Sequence, residues 1–185
     1  YIDMIPVTDY ITSGVWQIIL NPTRVVEGQY DLWLPSENVL NRGTGFLYPD
    51  EEVTLTIPST ADKVISVGAY DALTFSYASF SGRGYTWQDE RTKPDLVAPG
   101  VNVRTTAVGG GVTVVSGTSF ATPFVTGASA LLMEWGIVRG NDPFLYGEKV
   151  KAYLRRGARE LPGFGKYPNR EVGYGRLCLE RSLPD

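Results

Sequence analysis

The chain has 185 residues, of which 43% are hydrophobic and 20% are charged, a composition typical of a folded domain with an apolar core. Its net charge of −3 argues against nucleic acid as a partner. No uninterrupted run of 18 apolar residues occurs, so we predict no membrane partner. The single cysteine, Cys178, excludes an internal disulfide and is more typical of a small buried apolar residue than of a nucleophile.

Residues 1 to about 58 have the pattern of short β-strands. Segment 14–20 ends at the turn signal Asn21-Pro22, and segment 29–34 alternates apolar and polar residues. Segment 53–57 alternates again before a proline. Successive short strands joined by Pro and Gly turns predict an antiparallel β-sandwich for this part of the chain.

The pattern changes near Ser59. Segment 63–69 is a nearly continuous apolar strand of the kind found in parallel sheets, and 94–103 is a second strand with a Pro-Gly turn inside it. Three glycines, 109–111, separate this strand from the apolar segment 112–115. We therefore predict an α/β architecture with a mostly parallel sheet.

Two helices follow. Residues 120–135 are apolar nearly all round, which predicts a central helix buried between layers. A second helix is predicted over 143–156, with Asp142 as its N-cap and Gly157 as its C-cap. The tail 173–177 reads as a turn into a last strand or a short helix.

A serine lies where the first of these helices begins. Ser119 stands among small residues in the stretch 116–127, so it is expected at a helix N-terminus, where unpaired N–H groups favour negative charge. That geometry suits acyl transfer, because the nucleophile and one oxyanion donor come from the same residue. An alternative is that Ser119 is a plain N-cap of a buried helix, although Pro123 is unusual so soon after a cap.

The stretch resembles the active-site serine motif of the subtilisin-like serine proteases, G-T-S-x-[SA]-x-P followed by small residues. The matching positions are Gly117, Thr118, Ser119, Ala121, Pro123 and Gly127. Segments 63–71, 78–81 and 93–100 are also similar to subtilase segments and occur in the family's order. The resemblance covers roughly residues 59–185, and it implies a serine endopeptidase that acts on peptides or proteins.

The resemblance also implies roles for residues. Ser119 would be the nucleophile and its backbone N–H an oxyanion donor, Thr118 would support the oxyanion through its hydroxyl, and Ser116 and Gly117 would line the leaving-group side of the substrate cleft. No cofactor is implied. The family often binds Ca²⁺ in loops near Lys93-Pro94, but the flanking carboxylates Glu90 and Asp95 are more typical of solvated side chains, so no metal is assigned.

The chain contains 0 His, although a serine nucleophile needs a general base. Subtilases order their triad Asp, His, Ser along the chain. The resemblance therefore implies that residues 59–185 are the C-terminal half of a catalytic domain. We expect the Asp, the His and the oxyanion Asn to come from an N-terminal part of the same protease, and this chain alone to be inactive.

Residues 1–58 do not resemble the minimal subtilase core. Strings 30–35 and 54–61 are similar to the end of the jelly-roll insertion in clostridial Csp-type subtilases, which take part in spore germination. This resemblance implies a bacterial protein with two parts, the end of an inserted β-sandwich at 1–58 and the catalytic half at 59–185. The sequence does not fix a location, which would be spore-associated or cytoplasmic for a Csp-type protein and secreted otherwise.

Two other functions stay open. One is a catalytically inactive pseudoprotease that binds or regulates, because Csp-type proteins include such members. The other is a β-domain binding protein that carries a subtilase-like remnant.

Overall fold

The computed structural model describes residues 4–28, 30–35, 39–84 and 92–184. The chain forms two compact units, Tyr1–Leu47 and Tyr48–Asp185. In the described part of the first unit every residue is exposed except the half-buried Leu40, and none lies in a β-strand. The strands predicted over 14–20 and 29–34 are therefore wrong for the residues that the structure describes. A strand needs a neighbouring strand for its backbone hydrogen bonds, and neither sheet of the structure includes a described residue of these segments.

Segment 53–57 is not a strand either. Val53 has φ 54°, outside the β-region. Thr54 is instead tied to Arg83 within the second unit: its N–H donates to the Arg83 carbonyl at 2.9 Å, and its hydroxyl accepts the Arg83 N–H at 2.9 Å. The assignment of residues 1–58 to an inserted jelly roll stays a prediction.

A mixed sheet forms the centre of the second unit. It contains β1 (Val67–Asp71), β2 (Ser76–Tyr77) and β3 (Leu96–Pro99) in the order β2-β1-β3. β1 runs parallel to β3, with Val67 opposite Leu96, and antiparallel to β2. The predicted parallel pair is thus confirmed, within a sheet that is not mostly parallel among the described strands.

The predicted strand 94–103 is divided. β3 ends at Pro99, and β4 (Val103–Thr106) then pairs antiparallel with β5 (Val112–Val115) as a hairpin. The break falls at residues 100–102, where Asn102 adopts the left-handed φ of 52° and turns the chain out of the sheet. The hairpin loop contains the three glycines 109–111, all at positive φ.

Helix α1 (Thr118–Met133) continues into a π-helical turn at Glu134–Val138. The face that packs on β1 and β3 is buried, and it consists of Ala121, Val125, Ala128 and Leu132. Most of the remaining helix surface is open, with Phe124 44% and Leu131 52% exposed. The prediction of burial all round is therefore wrong: in this chain a sheet covers one face of the helix and leaves the other uncovered.

The helical stretch Thr118–Val138 is 21 residues long and contains an 18-residue window with a mean hydropathy of 1.2, so by length and composition alone it could cross a membrane. No other helix in the described ranges meets that criterion. The expectation from uninterrupted apolar runs overlooked this segment, because threonines, serines and glycines interrupt it. A core helix passes the same test, and the packing of α1 on β1 and β3 is that of a core helix.

Helix α2 (Gly147–Gly157) begins four residues later than predicted. Asp142 is not its N-cap, because residues 142–145 form a turn in which the Leu145 N–H donates to the Asp142 carbonyl at 3.0 Å. Gly157 is the last residue of the helix and not a left-handed cap. A side chain there would collide with the backbone of Ser182.

The short helix predicted near the C-terminus is α3 (Leu179–Ser182). It follows a segment that binds the free edge of β3: the Val97 N–H donates to the Gly175 carbonyl at 2.9 Å, and the Leu177 N–H donates to the Val97 carbonyl at 2.8 Å. Cys178 precedes α3 as a free thiol. It is half-buried, less than the fully buried side chain that the sequence predicted.

Candidate active site

Ser119 is the second residue of α1, and the sheet holds the start of that helix. The Gly117 N–H donates to the Gly100 carbonyl at 2.8 Å, and the Gly100 N–H donates to the Tyr70 carbonyl at 3.0 Å. Gly100 directly follows β3, and Tyr70 lies near the end of β1. The helix N-terminus therefore lies at the carboxyl end of the parallel pair, the edge where open α/β sheets bind their ligands.

Glycine is needed at two points of this junction. Gly117 has φ 151°, a conformation that residues with side chains rarely adopt. At Gly100 a methyl group would lie 2.5 Å from the Ala69 Cβ and 3.0 Å from the Gly117 carbonyl oxygen. The first glycine permits the sharp entry into α1, and the second lets the helix start approach the sheet closely.

The first turn of α1 presents a free hydroxyl beside free N–H groups. Ser119 is exposed, and its hydroxyl has no hydrogen-bond partner within the part of the chain that the structure describes. The Gly117 carbonyl accepts hydrogen bonds from the N–H groups of Phe120 and Ala121. The N–H groups of Thr118 and Ser119 come before these first bonds and have no acceptor within the helix. Pro123 has no N–H to give to the Ser119 carbonyl. The unpaired N–H groups of Thr118 and Ser119 place partial positive charge at this end of the helix, which favours a negative oxygen there.

The other predicted site residues adjoin Ser119. Thr118 is half-buried, and its carbonyl accepts the Thr122 hydroxyl at 3.0 Å. Ser116 is exposed, and its Oγ accepts the backbone N–H of Asn102 at 2.9 Å. Gly100 and Asn102 are not among the site residues predicted from the sequence. The available signal was that asparagine, among residues with side chains, is enriched in left-handed conformations, and here it follows a Pro-Gly turn closely.

This arrangement places an exposed serine hydroxyl beside unpaired helix N–H groups, which is the geometry that a nucleophile with an oxyanion-binding environment requires. A tetrahedral intermediate formed on Ser119 would carry its negative oxygen close to the helix N–H groups, where it is stabilised. Removal of the serine proton requires a base, and this chain contains 0 His. Such a base would therefore have to be a group other than a histidine of this sequence.

Asp95 is not a solvated carboxylate, contrary to the sequence-based expectation. Its side chain is fully buried and receives the Ser66 N–H at 2.6 Å, together with side-chain donors from Lys93, Lys151 and Arg155. Burial lowers the pKa of Lys151 below its ordinary value, and the positive charges of Lys93 and Arg155 add to this effect. Asp95 is already neutralised by these cations, so it does not suit a calcium ion. Glu90 lies outside the described residues.

The fold and the serine motif together are those of a subtilisin-like serine hydrolase. A family model described as the subtilase family of peptidases matches residues 47–175. The chain belongs to the subtilase family.

Several relatives support this assignment. The chain is 34% identical over 156 residues to serine protease AprX of Bacillus subtilis, a match that covers 74% of this chain and 33% of that protein. It is 39% identical over 134 residues to the membrane-bound transcription factor site-1 protease of mouse, covering 70% of this chain and 12% of that protein.

A solved structure is also similar. The CspB protease of Clostridium perfringens shares 50% sequence identity with this chain at a TM-score of 0.73, over 77% of this chain and 30% of the CspB chain. The chain thus spans a third or less of each of these relatives. The resemblance to Csp-type subtilases is confirmed at the level of the family and of this neighbour.

Proposed function

We propose that this chain carries the nucleophile of a subtilisin-like serine endopeptidase, with Ser119 as the residue that is acylated. The observation that carries the proposal is the placement of Ser119 in the first turn of α1, exposed, next to N–H groups that have no acceptor within the helix. The family membership supports peptides or proteins as substrates.

The chemistry follows from this geometry. The Ser119 oxygen attacks the carbonyl carbon of the scissile peptide bond while a base takes the hydroxyl proton. The carbonyl oxygen becomes an oxyanion that the Ser119 N–H stabilises, with support from the Thr118 hydroxyl. The leaving amine receives the proton from the base and departs past Ser116 and Gly117. Water then hydrolyses the acyl-enzyme by the same steps.

A second part of the same protease supplies the base, its orienting Asp and the oxyanion Asn. Three observations support this proposal. The chain has 0 His and covers 30% of the CspB chain. The uncovered face of α1, which includes Phe124 and Leu131, is an apolar surface that such a part would bury.

An active-site phosphonate probe tests the proposal. In the intact protease a fluorophosphonate should label Ser119, and the isolated chain should be labelled far more slowly and show no peptidase activity. Ser119→Ala should abolish labelling. Ser129→Ala is the matched control on the same helix, because the Ser129 hydroxyl donates to the Val125 carbonyl at 2.8 Å and faces no substrate.

Three results would overturn the proposal in different ways. Labelling that persists in Ser119→Ala places the nucleophile elsewhere. Rapid labelling and turnover by the isolated chain remove the need for a second part. An intact protease that is folded but not labelled indicates the inactive, binding form of the family.

A further inference from the structure

We infer that Ser116 is a positioning residue, whose hydroxyl fixes the loop that holds the nucleophile. This inference rests on the proposed function of Ser119. It differs from the role that the family resemblance implies for Ser116, which is to line the leaving-group side of the cleft.

The regular pairing of β4 with β5 ends just before Ser116. The last regular pair is Val103 opposite Val115. Beyond it the β4 side has Asn102 in a left-handed conformation at φ 52°, so its N–H leaves the direction that the ladder requires. The Ser116 side chain accepts this N–H at 2.9 Å and replaces the missing backbone acceptor.

The same loop is tied to the sheet one residue later. The Gly117 N–H donates to the Gly100 carbonyl at 2.8 Å. One bond joins Asn102 to Ser116, and the other joins Gly117 to Gly100. Together they hold both ends of the short connection between β3 and β4 against the residues that lead into α1. Ser119 follows two residues after Gly117, so its position depends on this pair of bonds.

The strain at Asn102 makes the side-chain bond matter. A left-handed non-glycine residue persists where its surroundings hold it. Without the Ser116 hydroxyl the Asn102 N–H loses its partner, and residues 100–102 can relax toward an ordinary conformation. The Gly117 N–H would then follow its acceptor, and the start of α1 would shift against the bound substrate. Small displacements of a nucleophile cost rate more than binding.

Replacement of the hydroxyl tests the inference in the intact protease. Ser116→Ala should increase hydrogen exchange of the Asn102 amide and should lower the rate of Ser119 labelling and kcat roughly tenfold, with little change in KM. Ser116→Thr retains the hydroxyl, so its amide exchange, labelling rate and kcat should be those of the wild type. Asn102→Gly removes the strain and should recover part of the rate in the Ser116→Ala background. Thr106→Ala, on the exposed side of β4, is the control and should leave the amide exchange, the labelling rate and kcat unchanged.

The outcomes separate this inference from the proposed function. If Ser116→Ala leaves labelling and amide exchange unchanged while the wild type is labelled, Ser116 does not position the loop. A rise in KM with kcat unchanged shows that Ser116 acts in substrate binding and also overturns the inference. A wild-type protease that is not labelled at Ser119 overturns the proposed function, whatever the exchange of Asn102 shows.

Discussion

Replacing Asp95 by Asn should destabilise the protein severely. The Asp95 side chain has no exposed surface, and it is surrounded by the ammonium groups of Lys93 and Lys151 and the guanidinium of Arg155. Oδ2 accepts the Ser66 N–H and a Lys93 N–H, and Oδ1 accepts bonds from Arg155. An asparagine must turn its NH₂ toward one of these sets of donors, so either orientation leaves donors facing each other.

The magnitude follows from the exposure of the three cations. Breaking a buried ion pair by removing one partner costs about 3–5 kcal/mol. Arg155 is 29% exposed, so water screens its share, whereas Lys93 and Lys151 are 2% and 10% exposed. We therefore expect a loss near the lower end, about 3 kcal/mol of unfolding free energy. The pKa of Lys151 should fall further, because its neutralising partner is gone.

Equilibrium urea denaturation of the protease, wild type against Asp95→Asn, measures this loss. Asp142→Asn is the matched control, because Asp142 pairs with Lys149 at a more open position and should lose much less. Lys151→Met should lower the unfolding free energy less in the Asp95→Asn variant than in the wild type, because in that variant it removes an unpaired cation. A loss below about 1 kcal/mol, or one equal to that of the control, would refute the argument that Asp95 neutralises a buried cationic cluster.

Two further predictions concern the junction at the helix start and the turn before α2. Gly100→Ala should overpack the contact with Ala69, lower the unfolding free energy by about 1–3 kcal/mol and slow Ser119 labelling; unchanged urea midpoints would show that the junction is loose. Hydrogen bonds from Lys149 and Tyr153 lower the pKa of Asp142 below its ordinary 3.8. Its stabilising contribution should therefore be present above that value and be lost as the pH falls through the lowered pKa. The difference in melting temperature between wild type and Asp142→Asn should close at acid pH, and a constant difference would contradict the assignment.

The elements near Ser119 were predictable because their signals are local. Apolar continuity over 63–69 predicted a strand, although β1 begins only at Val67 and continues to Asp71, and small residues around Ser119 predicted the start of α1. Both depend on packing between segments that the chain itself contains. The single covered face of α1 was not predictable, because an apolar helix has the same composition whether its second layer is present or belongs to another part of the protein.

The contacts that organise the site depend on long-range geometry. The bond from Asn102 to Ser116 joins residues 14 apart, and the one from Arg155 to Asp95 joins residues 60 apart. Composition and periodicity do not reveal such pairs. The start of α2 was misplaced because Asp142 has the identity of a helix cap but uses its carboxylate to bind Lys149 and Tyr153.

Pro123 has a consequence for how this site can change. It withholds the amide that would normally lock the Ser119 carbonyl into the helix, so the first turn of α1 is held mainly from outside, through Gly117 and the loop after β3. Ser119 is therefore held from the sheet side, through the bonds of Gly117 and Gly100, and the helix lies behind it. Small changes in the spacing of β1 and β3 should move Ser119 through Gly100 and Gly117, and so should alter the rate of its labelling.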